Sequence, residues 1–442
     1  MKKELIISYE DDASKIALIE DGRLFELHEI KQNTDFVVGD IFVGKIKKLA
    51  PNLNAAFVNI GYEKDAFLHY QDLGPQYLTY RKFLQDTVSK RQQTSSLKNF
   101  QIQPEIDKHG TVDKVMAPQD EVLLQITKEP ISTKGPRIST QISLTGRFLV
   151  LIPFDNKVSI SKKVKSAEEK ARLKTLIESI KPEGFGVIIR TVAEGKKVAE
   201  LHNDMNQLVD KWNVCFKNIQ KNKTPAKVLS EEDKASAILR DNFNQDFVSI
   251  ICDDEQMVND MKNYLEVIAP ERKNIVQFYD SHIPLLEYYN VEKQLKQSFG
   301  KHVNIPSSKG AYLVIEHTEA LHVVDVNSGN NISSGTANKE HALNVNKMAA
   351  TEIARQLRLR DMGGIIVVDF IDMPNPDHRK DLYEHLREEM KRDKAKHKIL
   401  PPSKFGLIQI TRQRVRPEKQ IDTKEENPNK DGEILAPIFV VE

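Results

Sequence analysis

The stretches Leu321-His322-Val323-Val324-Asp325 and Ile365-Ile366-Val367-Val368-Asp369 decide the fold of the last third of this chain. Each is a short apolar run that ends in an aspartate, and such runs are typical of buried strands. We expect the second strand, which continues to Phe370, to be covered on both faces. The amphipathic segment from Glu340 to Arg360 lies between the two runs and predicts a helix that ends near Gly363-Gly364. Strand, helix and strand together indicate an α/β unit.

The two strand-end aspartates are candidates for a metal site. Mg²⁺ prefers oxygen ligands, keeps several waters and is often held by one or two carboxylates plus substrate phosphates. If the strands are neighbours, Asp325 and Asp369 can share one Mg²⁺, and Asn327 faces the same way as Asp325 along a continuing strand. An aspartate at the end of a strand also serves as a helix cap or a turn former. With Asn327 and Asp372 beside them, the pair favours a phosphoryl-transfer or nuclease enzyme.

Composition describes a soluble, ordered protein. The chain has 442 residues, 39% of them hydrophobic and 29% charged, and its 65 basic and 64 acidic residues give a net charge of +1. Any basic surface for nucleic acid must therefore be local. Cys215 and Cys252 match no CxxC spacing and are expected to be buried thiols in a reducing cytoplasm. No stretch approaches the roughly 20 apolar residues of a membrane span, so we expect a cytoplasmic protein.

Short strands with glycine corners follow residue 35 and predict a small barrel. Phe57 and Phe67 lie among lysines, so they either stack on single-stranded bases or belong to the ordinary barrel core. Residues 80–117 lose periodicity, and the polar segment 89–96 within them is expected to be a mobile insertion in the barrel. Lys134 opens the basic loop Lys134-Gly135-Pro136-Arg137.

Two further basic segments suit phosphate groups. Arg412, Arg414 and Arg416 recur with period two, so on a strand they would face one way, and arginine forks bind phosphate oxygens bidentately. The alternative is a solvated charged face. The predicted strand 186–191 ends in Arg190-Thr191, which offers a cation and a hydroxyl to a phosphate, although a surface salt bridge of Arg190 is the simpler explanation.

The first 30 residues read as three short strands with tight turns, including Asp21-Gly22 between two apolar runs. This meander is too small to fold alone. We expect it to join the later strand–helix segment that begins at Phe247.

Taken together, these segments resemble the ribonuclease E/G family over nearly the whole chain. The motifs that carry the resemblance are Gly39-Asp40-Ile41-Phe42-Val43-Gly44-Lys45, Ala55-Ala56-Phe57-Val58, Val324-Asp325-Val326-Asn327-Ser328-Gly329, Arg355-Gln356-Leu357-Arg358-Leu359-Arg360-Asp361-Met362-Gly363-Gly364, Val368-Asp369-Phe370-Ile371-Asp372-Met373, Phe405-Gly406-Leu407-Ile408 and Arg412-Gln413-Arg414.

The resemblance implies an α+β multidomain fold in interleaved parts. An RNase H-like subdomain comprises residues 1–35 and 236–298. Inserted in it are an S1 barrel of the OB-fold type over 36–140, enlarged near 80–117, and a 5′-sensor region over 141–235. A DNase I-like α/β catalytic subdomain covers 299–418, and 419–442 form a C-terminal tail.

The resemblance also assigns roles. Asp325 and Asp369 would hold Mg²⁺, with Asn327 in support. Phe57 and Phe67 would contact RNA, as would Lys134, Arg412 and Arg414 as basic candidates. Arg190 and Thr191, with Gly146 and Val150 on the wall, would form a pocket for an RNA 5′-monophosphate.

The implied function is that of a Mg²⁺-dependent endoribonuclease on single-stranded RNA, leaving 5′-phosphate and 3′-hydroxyl ends. Its substrates would be ribosomal and transfer RNA precursors and mRNA. Where many members carry a CPxC zinc link, this chain reads Asn427-Pro428-Asn429-Lys430, so zinc is not expected and any homodimer would lack a zinc bridge. The alternative is a non-catalytic, ribosome-associated RNA-binding protein.

Overall fold

A computed structural model of the protein describes residues 2–10, 13–31, 36–130, 134–231, 236–237, 239–240, 243–244, 246–308, 310–318, 321–329, 337–403, 406–414 and 418–419. The chain forms two compact units. One unit comprises residues 1–32 and 244–442, and the other comprises residues 33–243.

The strands, in chain order, are β1 (Lys3–Glu10), β2 (Ala13–Glu20), β3 (Arg23–Lys31), β4 (Ile41–Ala50), β5 (Ala55–Asn59), β6 (Ala66–His69), β7 (Glu121–Lys128), β8 (Arg137–Ser139), β9 (Leu144–Thr145), β10 (Leu149–Pro153), β11 (Val158–Ile160), β12 (Phe185–Ile189), β13 (Ala226–Leu229), β14 (Phe247–Cys252), β15 (Val276–Phe278), β16 (His302–Asn304), β17 (Tyr312–His317), β18 (Leu321–Asn327), β19 (Gly364–Asp369), β20 (His397–Ile399) and β21 (Ile408–Arg412).

The α-helices whose bounds lie within the described residues are α1 (Tyr77–Val88), α2 (Ala167–Ile180), α3 (Val198–Lys221), α4 (Glu255–Ile268), α5 (Leu285–Tyr288), α6 (Val291–Phe299), α7 (Ala337–Leu359) and α8 (Pro376–Met390). Short 3₁₀ turns occupy Pro51–Leu53, Tyr70–Asp72, Val112–Lys114, Thr191–Ala193 and Pro270–Ile275.

In the first unit, the N-terminal meander joins a strand from far along the chain. β1 pairs antiparallel with β2 and parallel with β14, and the sheet order is β15-β14-β1-β2-β3. Ile6 and Leu24 pack in one apolar cluster with Leu295 and Phe299 of α6. The meander therefore shares its core with residues beyond 246. This agrees with the prediction that it is too small to fold alone.

A second sheet in the same unit has the order β16-β17-β18-β19-β21-β20. β18 and β19 form a parallel pair, and α7 connects them. Val345 and Ile353 of α7 pack with Val324, Ile366 and Ile410 in the core of this sheet. A parallel pair needs a crossover connection. Here α7 is that connection, and its apolar side chains cover one face of the sheet.

The other face of this sheet is accessible along β18 and β19. Burial alternates along both strands, and Val323 and Ile365 are 36% and 40% exposed. The expectation that Ile365 to Phe370 is covered on both faces is therefore wrong. An apolar run does not by itself distinguish a strand buried on both faces from one buried on a single face.

The second unit contains a closed barrel. β4 pairs with β5 and with β7, so β4, β5, β6, β8 and β7 form a ring, and β13 adds to β4. Ala56, Val58, Ala66 and Leu68 point into the barrel core. The prediction of an α+β chain with a small closed barrel is confirmed, and the barrel is consistent with an S1 domain.

Beside the barrel core, the same unit holds a four-stranded sheet of order β11-β12-β10-β9. Helix α3 packs against it through side chains three or four residues apart, including Leu201, Met205, Leu208 and Trp212. This spacing is that of an amphipathic helix.

Residues 80–117 pack against the second unit's core at several points, and the mobility expected of residues 89–96 stays a prediction. They begin inside α1 and then run across α3, where Leu97 is only 3% exposed. The Trp212 Nε1–H donates to Ser95 O at 2.9 Å, and the Phe83 ring stacks on the indole of Trp212 at 5.4 Å. Buried apolar residues anchor the segment at Phe83, Leu84, Leu97, Val112 and Met116, but they recur at no fixed spacing, which is why its sequence lacks a period.

Among the helices of the described residues, none combines the length and the apolar character that a membrane crossing requires.

Candidate functional site

Asp325 and Asp369 lie side by side on the accessible face of the second sheet. They are register partners on the parallel strands β18 and β19, and both are exposed. Neighbouring strands lie about 4.8 Å apart, so the two carboxylates can reach one ion. The Asn327 Nδ2–H donates to Asp325 Oδ2 at 2.8 Å. The structure thus brings together the three residues that the sequence indicated.

The charge around Asp369 is unfavourable when no cation is bound. Partial burial raises the pKa of Asp369 above its ordinary value, and the nearby carboxylates of Asp325 and Asp372 raise it further. Like charges at one site disfavour ionisation of the group between them. A divalent cation would relieve this repulsion.

The donor set suits Mg²⁺. Two carboxylates and an amide side chain offer oxygen ligands only, and Mg²⁺ is commonly held by one or two carboxylates while retaining waters. Within the described part of the chain, no group of three or more histidine, cysteine, aspartate and glutamate side chains is arranged to hold a metal ion. The paired carboxylates of Asp325 and Asp369 are of the ligand type that Mg²⁺ prefers.

Arg412 does not face the solvent, contrary to the expectation that it contacts RNA. Its side chain is 4% exposed and forms a bidentate ion pair with Asp393, with Nε to Oδ2 at 2.6 Å and Nη2 to Oδ1 at 3.0 Å. Nη1 also donates to Met362 O at 2.8 Å. Arg412 is the last residue of β21 and lies on the buried face, so its guanidinium serves the fold.

Arg414 does not continue the strand. β21 ends at Arg412, and Arg414 follows as an exposed residue that packs over Gly363. Arg416 lies outside the described residues. Arg414 therefore remains available for an RNA contact, while the predicted strip of three arginines on one strand face is not formed.

Phe57 and Phe67 lie on the outside of the barrel and not in its core. They are register partners on β5 and β6, are half-buried, and their rings meet edge to face at 5.8 Å. The ammonium of Lys48 lies 4.8 Å from the centre of the Phe57 ring. Lys134 is exposed on the loop before β8. Partly exposed aromatic rings beside a cation form a surface on which bases can stack.

The four residues predicted to bind a 5′-phosphate lie on or next to β10 and β12, the two central strands of the four-stranded sheet. Val150 is the register partner of Ile188, two residues before Arg190. The Arg190 Nη1–H donates to Gly146 O at 2.7 Å, and Thr191 Oγ1 lies 2.8 Å from Ser161 Oγ. The Arg190 guanidinium thus lies against the backbone of Gly146, and the Thr191 hydroxyl pairs with that of Ser161.

Asp204 of α3 shapes this pocket, and the sequence did not identify it. Its carboxylate accepts from the backbone N–H groups of Arg147, Phe148 and Leu149 at 2.9–3.0 Å. Burial raises the pKa of Asp204 although these N–H groups act in the opposite direction. A Cβ on Gly146 would lie 2.7 Å from both carboxylate oxygens, so only glycine fits there. An aspartate on the apolar face of α3 was the available signal.

Comparison with known proteins identifies the chain's relatives. A model of the ribonuclease E/G family matches residues 143–415. The chain is 35% identical over 418 residues to ribonuclease E of Nostoc sp., covering 94% of this chain and 56% of that protein. It is 33% identical to ribonuclease G of Haemophilus influenzae, covering 93% of this chain and 80% of that protein. With ribonuclease G of Escherichia coli K12 it shares 31% identity, over 94% of this chain and 81% of the relative.

The chain spans about half the length of the ribonuclease E relatives and four fifths of the ribonuclease G relatives. The family model covers well over half of the chain, including Asp325, Asp369 and the Arg190 pocket. The resemblance drawn from the motifs is confirmed, and the chain belongs to the ribonuclease E/G family.

Proposed function

We propose that this chain is a Mg²⁺-dependent endoribonuclease that cleaves single-stranded RNA to 5′-phosphate and 3′-hydroxyl ends. The observation that carries the proposal is the in-register pair Asp325 and Asp369 on an accessible sheet face. The names of the relatives, ribonuclease E and ribonuclease G, support RNA as the substrate.

The side chains at this site have different roles. Asp325 and Asp369 would hold the ion, and Asn327 fixes the Asp325 carboxylate through its 2.8 Å hydrogen bond. Bound Mg²⁺ supplies Lewis-acid polarisation of the scissile phosphate and lowers the pKa of water. Both carboxylates are exposed among the described residues, so a polyanionic chain can approach them from this face.

The decisive experiment replaces either carboxylate by its neutral isostere. We expect Asp325→Asn and Asp369→Asn to lose Mg²⁺-dependent cleavage of a short A/U-rich RNA while RNA binding persists. Glu316→Gln is the matched control, because Glu316 lies on β17 opposite Val323 and so on the same sheet face. Unaltered cleavage by both aspartate variants would falsify the assignment.

We further propose that a 5′-monophosphate on the substrate stimulates cleavage through the pocket of Arg190, Thr191, Gly146 and Val150. A guanidinium held by Gly146 O and a hydroxyl held by Ser161 are oriented before any ligand arrives. Such preorganisation favours a small dianion at the chain end.

Matched RNAs with a 5′-monophosphate or a 5′-hydroxyl test this pocket. Wild type should cleave the monophosphorylated RNA faster, and Arg190→Ala should remove the difference. Lys174→Ala removes one exposed charge from α2 and should preserve the difference. Equal rates on the two RNAs in wild type would rule out the pocket.

The barrel surface also permits a different function, that of a non-catalytic RNA-binding protein. Phe57 and Phe67 on the outer barrel face support RNA binding whether or not the chain cleaves. Incubation of the RNA with Mg²⁺ and with EDTA separates the two functions. Binding without Mg²⁺-dependent products favours the binding protein.

Within this proposal, the sheet that contains β1 and β14 corresponds to the RNase H-like part and the sheet that contains β18 and β19 to the DNase I-like part. Maturation of ribosomal and transfer RNA and decay of mRNA are the proposed roles. A homodimer without a zinc bridge stays a prediction, because residues 427–430 lie outside the described residues.

A further inference from the structure

Asn346 is a buried polar residue on the apolar face of α7, and the proposed mechanism assigns it no role. It lies in the middle of α7, is 0% exposed and follows Val345 of the apolar core. Asparagine competes with the helix backbone for hydrogen bonds and is disfavoured in helix interiors. A buried amide at such a position needs a partner outside the helix.

That partner is the peptide of Ile371. The Asn346 Nδ2–H donates to Ile371 O at 2.8 Å, and the Ile371 N–H donates to Asn346 Oδ1 at 3.0 Å. The amide therefore pairs with one residue through two bonds, as an adjacent strand would. Ile371 stands two residues after Asp369 and one before Asp372, where β19 has already ended.

The helix that carries Asn346 is itself held in place. The Arg355 Nη1–H donates to Leu24 O of β3 at 2.7 Å, and Arg355 is paired with buried Glu352 at 2.6 Å. On the far side of Ile371, the Arg379 Nη1–H donates to Met373 O at 2.7 Å. The segment after Asp369 is thus held by Asn346 of α7 and by Arg379 of α8.

We propose that Asn346 is a positioning residue for the reaction: by fixing the Ile371 peptide, it holds the Asp369 carboxylate beside Asp325 against their mutual repulsion. This inference rests on the proposed function. Without the two Asn346 bonds, the chain after β19 can rotate and the two carboxylates can separate, because repulsion of like charges favours separation. Cation affinity would then fall while RNA contacts elsewhere are unaffected.

The test measures cation binding directly. Asn346→Ala removes both bonds and places a strong helix former in α7. Mn²⁺ binding without RNA, followed by electron paramagnetic resonance, should weaken by about tenfold or more, the range found when residues supporting metal ligands are removed. The Mg²⁺ concentration for half-maximal cleavage should rise in parallel, with kcat lowered at fixed Mg²⁺ and KM for RNA unchanged.

The matched control is Thr351→Val on the same helix. Thr351 Oγ1 contacts His385 Nε2 of α8 at 3.0 Å, so the variant loses a bond between α7 and α8 without touching Ile371. It should keep the wild-type Mn²⁺ affinity. If Asn346→Ala does not unfold cooperatively in a melt followed by circular dichroism, Asn346→Ser is measured instead, with the same expected direction.

The outcomes are distinct. A folded Asn346 variant with wild-type Mn²⁺ affinity and Mg²⁺ midpoint overturns the positioning role alone. An equal loss in Thr351→Val also overturns it, since general loosening of α7 would then suffice. Wild type that neither binds Mn²⁺ at Asp325 and Asp369 nor cleaves RNA overturns the proposed function itself.

Discussion

Replacement of Arg412 distinguishes a structural arginine from an RNA contact. In Arg412→Met the Asp393 carboxylate, with its side chain 3% exposed, loses both guanidinium bonds. The Met362 carbonyl also loses the donor at 2.8 Å. Methionine keeps most of the side-chain volume, so the change removes charge and hydrogen bonds with little loss of packing.

The expected destabilisation is large because one partner of a buried pair remains. Removing one member of a buried ion pair costs about 3–5 kcal/mol, and an unsatisfied buried acceptor costs about 1–3 kcal/mol. We therefore expect about 4 kcal/mol in the free energy of unfolding. In a unit of this size, that corresponds to a fall in Tm of roughly 8–16 °C.

The assay pairs unfolding with RNA binding. Arg414→Met, at an exposed position two residues on, should change stability by less than about 0.5 kcal/mol and should weaken RNA binding. Arg412→Met should unfold early yet bind RNA normally below its transition. The double variant Arg412→Met with Asp393→Leu should recover part of the loss, since no unpaired charge remains. Wild-type stability with reduced RNA affinity in Arg412→Met would refute the reasoning.

Three further changes test other parts of the molecule. Burial raises the pKa of Glu352, but Arg355, Arg23 and Gln356 together outweigh it, so the pKa lies below its ordinary value. The stability that this lowered pKa provides is present above the unfolded pKa of about 4.3 and is lost as pH falls through the folded pKa. Glu352→Gln should therefore lose least stability in acid, measured by urea unfolding against pH. Phe57→Ala should weaken single-stranded RNA binding by about 1–3 kcal/mol in fluorescence anisotropy, with the barrel still folded. Gly146→Ala should abolish the 5′-monophosphate preference, because its Cβ would meet Asp204 at 2.7 Å; retention of the preference would contradict the pocket geometry.

The carboxylate pair shows what spacing can establish and what it cannot. Alternation along a strand predicted that Asp325 and Asn327 share a face, and their 2.8 Å contact confirms it. That β18 and β19 are neighbours required either the family resemblance or the fold, because strand pairing depends on the whole sheet. The same period of two did not predict the position of Arg412. Arg412 is the last residue of its strand and lies on the buried face, where it pairs with Asp393.

Buried polar residues were the least predictable part of the site. Asp204 and Asn346 each satisfy backbone groups of a loop that is distant in sequence. Their only signal in the sequence is a polar residue in the apolar stripe of a helix, and that signal does not name the partner. The packing of the segment around Leu97 was missed for a related reason, since its buried apolar residues recur at no fixed spacing.

The strand–helix–strand unit of β18, α7 and β19 accounts for both the open site and its support. A parallel pair requires a crossover, and α7 covers one face of the sheet through Val345 and Ile353. Strand alternation then places Asp325 and Asp369 on the opposite face, where RNA can approach. Because the crossover helix also passes the end of β19, its Asn346 reaches the peptide of Ile371 from behind the sheet. The crossover helix α7 thus determines which sheet face carries Asp325 and Asp369. It also supplies Asn346, the side chain that can hold them there.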